Sequence, residues 1–181
     1  GEIANLQVSL KGPGDYVTAA DKRCEKVLRA ELAKARPGYG FLGEEEGESK
    51  GSDPDNRFII DPIDGTSNFM HGIPFFAVTV ALERKGEIVA GITYNPITDE
   101  FFHSEKGVGA FMNNKRMRVA ARQQLHEAVV STNIPHPGLK HRHVQHRNEI
   151  AVMQARTSGV RSLGSTALEL AYVAAGRLDA A

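Results

Sequence analysis

An antiparallel sheet with a helix on one face, followed by a smaller α/β layer, is the architecture that this sequence predicts. Three observations carry it. Residues 18–35 repeat apolar side chains at three- and four-residue spacing, and residues 76–103 alternate short strand-like runs with turn dipeptides. Beyond about Gln123 the pattern changes to short apolar runs alternating with helical ones. We therefore expect an α+β unit over residues 1–122 and part of an α/β unit over 123–181.

The elements follow in chain order. Residues 1–17 form an opening segment with a Gly-Pro-Gly turn at 12–14, bringing Lys11 and Asp15 close in sequence. Thr18 is the candidate N-cap of the first helix, with Asp21 three residues on; Ala20, Cys24, Val27, Leu28, Leu32 and Ala35 mark its apolar stripe. Pro37-Gly38 ends it. Residues 39–42 read as a short strand running into Glu44-Glu45-Glu46, residues 47–56 as a polar loop, and 58–60 as an apolar run that stops at Asp61-Pro62. Strand-like runs at 76–82, 88–94 and 100–103 are separated by Lys85-Gly86 and by Asn95-Pro96 with Thr98-Asp99. Lys106-Gly107 and Asn113-Asn114 add tight turns before Arg118-Val119. In the second part, 127–131 and 160–161 are strand candidates, 135–146 a basic histidine-bearing loop and 149–156 a weak helix. Residues 166–175 form a helix capped by Ser165 and stopped by Gly176, and 177–181 begin a further strand.

Composition excludes several classes. The 181 residues suffice for one domain or two small ones, and 41% apolar residues can build a core. Lys+Arg and Asp+Glu both number 22, so no bulk attraction to nucleic acid or an anionic membrane is expected. The longest apolar stretch, 75–82, is far short of the ~20 residues that span a bilayer. The first residues, GEIANLQVSL, lack a basic start, an apolar centre and a small-residue cleavage site, so no signal peptide is expected. A single cysteine, Cys24, cannot close an intrachain disulfide, which points to a reducing, cytoplasmic setting.

Asp61-Pro62-Ile63-Asp64-Gly65-Thr66, preceded by Glu44-Glu45, is the most informative feature. Two carboxylates three residues apart, at the end of an apolar run and separated by a stiffening proline, can aim at one point. Their repulsion is costly unless one takes a proton or a cation sits between them. The neighbouring groups offer only oxygen, which favours Mg²⁺, Mn²⁺ or Ca²⁺ over zinc. Mg²⁺ completes such a shell with water and substrate phosphate, so phosphate chemistry is the first class to test. Each piece also has a plainer reading: Asp-Pro and Asp-Gly are ordinary turn dipeptides, Glu44 to Glu46 suits a solvated loop, and Asp21 suits a helix cap.

The string Gly43-Glu44-Glu45, the run Phe58-Ile59-Ile60-Asp61-Pro62-Ile63-Asp64-Gly65-Thr66-Ser67-Asn68-Phe69 and the earlier Asp15-Tyr16-Val17-Thr18-Ala19-Ala20-Asp21 closely resemble the inositol monophosphatase family. Residues 164–177, Gly164-Ser165-Thr166-Ala167-Leu168-Glu169 onward to Arg177, resemble that family's later helix, especially in bacterial members. The similarity covers nearly the whole chain. Its motif is specific to the superfamily and less so to substrate, because phosphatases for fructose bisphosphate, phosphoadenosine nucleotides, histidinol phosphate or NADP share it.

The resemblance implies a layered αβαβα fold with the site between layers. It implies Mg²⁺-dependent hydrolysis of a small phosphate monoester, foremost myo-inositol monophosphate, by two-metal-assisted attack of water, with inhibition by lithium and by excess Mg²⁺. On this likeness Glu44, Asp61 and the Ile63 carbonyl hold the first metal, and Asp61 bridges to a second that Asp64 also binds. Asp21 and Thr66 hold and polarise the water, beside Glu44 as the third catalytic residue. Asp64, Gly65, Thr66, Arg161, Gly164 and Ser165 line the substrate side, and Lys11 sits near the mouth. A homodimer is implied, with 75–82 or the loop after Pro135 as contributors. A different class is also implied: some bacterial relatives act as non-catalytic partners in ribosomal RNA transcription complexes.

Two departures stand out. The family's Trp-Asp motif after the last helix supplies a further carboxylate to the second metal, and this sequence has no tryptophan. The family's first N-terminal helix is also largely absent, so the chain reads as part of a longer phosphatase that holds the second metal poorly. The run bearing His136, His141, His143 and His146 beside Lys140, Arg142 and Arg147 reads as a solvated segment rather than a zinc site, with a basic anion-drawing lip as its functional alternative. His71 lies near the motif and suits a substrate contact or a structural role alike, and Cys24 at helical spacing suits the core.

Overall fold

A computed structural model describes residues 8–12, 15–135 and 137–181, excepting the side chains of 8–12, 15–18, 137 and 140. The expected turn at 13–14, the Thr18 cap, the Lys11 side chain and His136 lie outside the described residues.

The pair β1 (Val8–Gly12) and β2 (Asp15–Thr18) is antiparallel and leads into α1 (Ala19–Ala35), which ends before Pro37-Gly38. Next, β3 (Gly40–Gly43) turns through residues 44–46 into β4 (Gly47–Ser49), and β5 (Asn56–Asp64) returns on the other side of β3. A five-residue helix, α2 (Thr66–Met70), follows. A meander of β6 (Ala77–Arg84), β7 (Glu87–Asn95), β8 (Glu100–Glu105), β9 (Gly109–Met112) and β10 (Lys115–Arg116) completes the sheet. Among the described residues its order is β10-β9-β8-β7-β6-β5-β3-β4. Every neighbouring pair is antiparallel except β3 with β5. Lys85-Gly86 (φ 52° and 78°) and Asn113-Asn114 (φ 45° and 64°) take the left-handed conformation that two-residue hairpins require.

The pleat sends alternate side chains to two faces. Phe41, Phe58, Ile60 and Val80 pack on one face with Leu28, Leu32 and Ala33 of α1. On the other, Ala77 and Phe102 pack against Leu168 of α4 (Thr166–Ala174). The second layer contains β11 (Val129–Ser131) and β12 (Gly159–Arg161), paired parallel, with α3 (His143–Gln154) between them. Ala180 bridges in parallel to Val130, in line with the strand expected to begin near 177. No helix among the described residues is long and apolar enough to cross a membrane.

Four local expectations are corrected. Residues 47–56 are not all loop, because the turn after β3 folds β4 back onto it. The run at 58–60 does not stop at Asp61-Pro62: β5 continues to Asp64 through a register irregularity between Asp61 and Asp64. Pro62, which has no N–H to donate, sits inside that irregularity. The stretch expected as a loop at 135–146 is largely helical, a 3-10 turn over Pro137–Arg142 leading into α3; its charged side chains face water without breaking the backbone pattern. On α1, Val27 is 60% exposed, while Asp21 and Glu25 are buried. The stripe facing inward at the start of α1 meets the polar end of the sheet, not its apolar centre.

Candidate active site

Parallel pairing of β3 and β5 places their C-terminal ends side by side, with Gly43 opposite Ile60. Glu44 directly follows β3, and its N–H donates to Ile60 O at 3.1 Å. Asp61 is the next residue of β5, so two acids far apart in sequence meet at one sheet end. Their side chains are hydrogen-bonded to each other. Burial first, then the charges of Glu44 and Asp64 and the Glu44 hydrogen bond, push Asp61 up to about 8. Its Oδ1 is buried and has no hydrogen-bond partner among the described residues.

Asp64 closes a different contact. Its Oδ2 accepts from Ser165 Oγ at 2.5 Å and from Ala167 N at 2.7 Å, so it sits on the N-terminus of α4. Burial raises the Asp64 carboxyl above the ordinary range, and those hydrogen bonds oppose the rise. Among the described residues, no three Asp, Glu, His or Cys side chains close around a common point. The structure thus brings Glu44 and Asp61 together and turns Asp64, near enough to Asp61 to repel it, towards α4.

Thr66 Oγ1 lies 3.1 Å from Ile63 O and 3.4 Å from Asp21 Oδ1, both as donor contacts that a single hydroxyl hydrogen serves in turn. Asp21 is 2% exposed. Gly65, at φ 95°, is the residue before α2, and a Cβ there would stand 3.0 Å from Gly164 O. This close approach joins the acidic turn to the loop before α4. Asn68 strengthens the join, its Nδ2 donating to Phe75 O and to Leu163 O at 2.7 Å each. Ser165 caps α4, accepting from Leu168 N at 3.4 Å. Arg161 lies exposed at the end of β12 with its Nη1 on Val160 O, and His71 is exposed with Nδ1 2.8 Å from Ser67 O. Burial, then Asp21, Asp61 and Glu25, pushes the Cys24 thiol up, and its Sγ donates to Pro62 O at 3.4 Å. Cys24 is therefore a packed thiol, not a thiolate.

The sequence profile of the inositol monophosphatase family matches residues 2–181. The chain belongs to the inositol monophosphatase family. It is thereby a phosphoric monoester hydrolase. A protein of Mesorhizobium japonicum named inositol-1-monophosphatase is 58% identical over 179 residues, covering 99% of this chain and 67% of its own length. One of Pseudomonas aeruginosa named Nus factor SuhB is 38% identical over 178 residues, covering 97% and 66%. The crystal structure of extragenic suppressor protein suhB from Bartonella henselae superposes with a TM-score of 0.94 at 55% identity, covering 98% of this chain and 68% of that one. The chain thus spans about two thirds of these relatives.

Sequence reading missed two buried carboxylates. Glu25 is 0% and Glu169 1% exposed. Glu169 Oε1 accepts from Leu163 N at 2.8 Å and Gly164 N at 3.1 Å, fixing the loop that carries Ser165. The available signal for Glu25 was its position four residues after Asp21 and four before Arg29, on the inward face. Asn68 was quoted in the motif but given no role.

Proposed function

We propose that this protein is a Mg²⁺-dependent phosphomonoesterase whose substrate is myo-inositol monophosphate or a similar small polyol phosphate. The observation that carries the reading is the Glu44–Asp61 pair with a buried Asp61 Oδ1 that has no hydrogen-bond partner among the described residues. A buried carboxylate held beside another acid is expensive unless a cation compensates it. The surrounding donors are carboxylates, a hydroxyl and main-chain carbonyls, an oxygen-only set that fits Mg²⁺. Glu44, Asp61 and the Ile63 carbonyl would hold one ion, and Asp61 with Asp64 a second. Bound there, Mg²⁺ supplies neutralisation of phosphoryl charge and a lowered pKa for water.

The remaining roles belong to the chain. With its hydrogen donated to Asp21, the Thr66 hydroxyl presents a lone pair that would accept from a water, so the carboxylate would orient the nucleophile through the threonine. Gly65, Thr66, Gly164 and Ser165 would line the substrate side, where the close approach of Gly65 to Gly164 keeps the acidic turn against the loop before α4. Arg161, exposed at the end of β12, would contact the substrate. We extend the proposal to a homodimer working in the cytoplasm. The name Nus factor attached to a 38% identical relative supports a second, non-catalytic role in transcription; the 58% identical relative named as the enzyme favours catalysis as the first.

The test is phosphate release from myo-inositol 1-phosphate, with and without Mg²⁺, by the wild type and by Asp64→Asn. Both omission and substitution are expected to remove most of the turnover. Turnover indifferent to both would overturn the reading.

A further inference from the structure

We propose that Glu25 is a positioning residue that fixes the Glu44 turn for cation binding; the inference rests on the metal reading above and adds a residue to it. Glu25 lies on α1 with its side chain fully buried. Oε2 accepts from Glu45 N at 2.8 Å and Oε1 from Glu46 N at 3.2 Å, so one carboxylate takes two successive main-chain donors of the turn after β3. Arg29, one helical turn on, donates Nε to Oε1 at 2.9 Å. The same guanidinium reaches Gly47 O at 2.6 Å and Ser49 Oγ at 2.9 Å, tying β4 to the same anchor. Gly43 completes the arrangement from the other side. A Cβ there would stand 1.8 Å from Glu25 Oε1, so only glycine leaves room for the carboxylate to reach the turn.

Glu44 is therefore clamped on both flanks. Its own N–H is bound to Ile60 O, and the next two N–H groups are bound to Glu25. A glutamate at the tip of a free hairpin turn would sample many directions; here its backbone is set and its side chain meets Asp61. A buried anion with three charge-assisted or main-chain partners is costly to form and costly to disturb, because removing it strands the donors. Placing that cost beneath a carboxylate that must face another carboxylate is the physical role we assign to it. Outer-shell groups of this kind typically change metal affinity by 10- to 100-fold.

Three variants of the full 181-residue chain test this: Glu25→Gln, Gly43→Ala and, as a control of comparable destabilisation, Leu32→Ala in the apolar contact of α1 with the sheet. The readouts are Mg²⁺ affinity by calorimetry and hydrogen exchange of the Glu45 and Glu46 amides without metal. Glu25→Gln keeps the shape but turns an amide donor towards groups that need an acceptor, and Gly43→Ala displaces the carboxylate without removing it. Both are expected to speed exchange at the two amides and to weaken Mg²⁺ binding by about 10- to 100-fold, with Leu32→Ala changing neither. Faster exchange with unchanged affinity would overturn the positioning role, as would an equal loss in Leu32→Ala. Absence of Mg²⁺ binding in the wild type, with exchange still faster in both site variants, would instead overturn the metal reading beneath it.

Discussion

Asp61 is held in a state that its own side chain disfavours. Burial and two neighbouring acids raise it to about 8, so near neutrality the metal-free fold keeps a proton that the unfolded chain releases. The sign follows from the direction: a carboxyl raised in the fold lowers stability at pH values above its unfolded value, and the loss grows until the pH passes the folded value. Asp61→Asn removes that cost and keeps the shape. We expect its metal-free Tm at neutral pH to rise by about 2–4 °C, corresponding to ~1 kcal/mol, and the Mg²⁺-dependent rise in Tm to disappear. A metal-free Tm below the wild type in a thermal scan would contradict this. That Glu44 and Asp61 meet was readable because both sit at the ends of apolar runs; that Asp64 turns to the start of α4 was not. Glu25 was not, since a charge on a helical face reads as solvated until the fold shows what covers it.

The first helix, the last helix and the meander were readable as elements because spacing and turn dipeptides encode them locally, whereas the start of α3 reads as loop. The parallel β3–β5 pair was not, since nothing local tells a strand which neighbour lies across a crossover. Proline misled the reading of β5, as its missing donor matters only where a ladder bond is required. At the far end of α4, Arg177 forms an ion pair with Glu100 of β8 and lies over the Tyr172 ring at 4.5 Å, while Tyr172 OH donates to Glu100 Oε2 at 3.1 Å. Burial pushes the Glu100 carboxyl up, but the hydrogen bonds of Arg177 and Tyr172 with the arginine charge outweigh it and hold Glu100 below its ordinary value. A lowered carboxyl contributes stability above its unfolded value and loses it as the pH falls through the folded one. The wild type is therefore expected to lose more stability than Glu100→Gln between about pH 5 and 3, followed by thermal melts. Parallel acid profiles would show that the cluster contributes nothing.

At the scale of the whole molecule, an apolar contact is among those that couple the layers: Leu168 of α4, 0% exposed, packs with Ala77 and Phe102 on the sheet face opposite α1. This packing crosses the division expected at 122/123. Leu168→Ala is expected to cost about 2–5 kcal/mol in urea unfolding, well above an exposed substitution such as Leu170→Ala on the same helix. Equal costs for the two would mean that α4 is not seated on the sheet as described.

The bond between Asp64 and Ser165 joins residues 101 positions apart. A ribosome emits the eight paired strands first and Thr166 roughly fifty residues later, a delay of about 3–10 s at ordinary elongation rates. Throughout that interval the aspartate has water for company, and the nascent chain carries an acidic sheet end without the loop before α4. Competence for chemistry at this end therefore arrives only after the eight-stranded sheet has already been made.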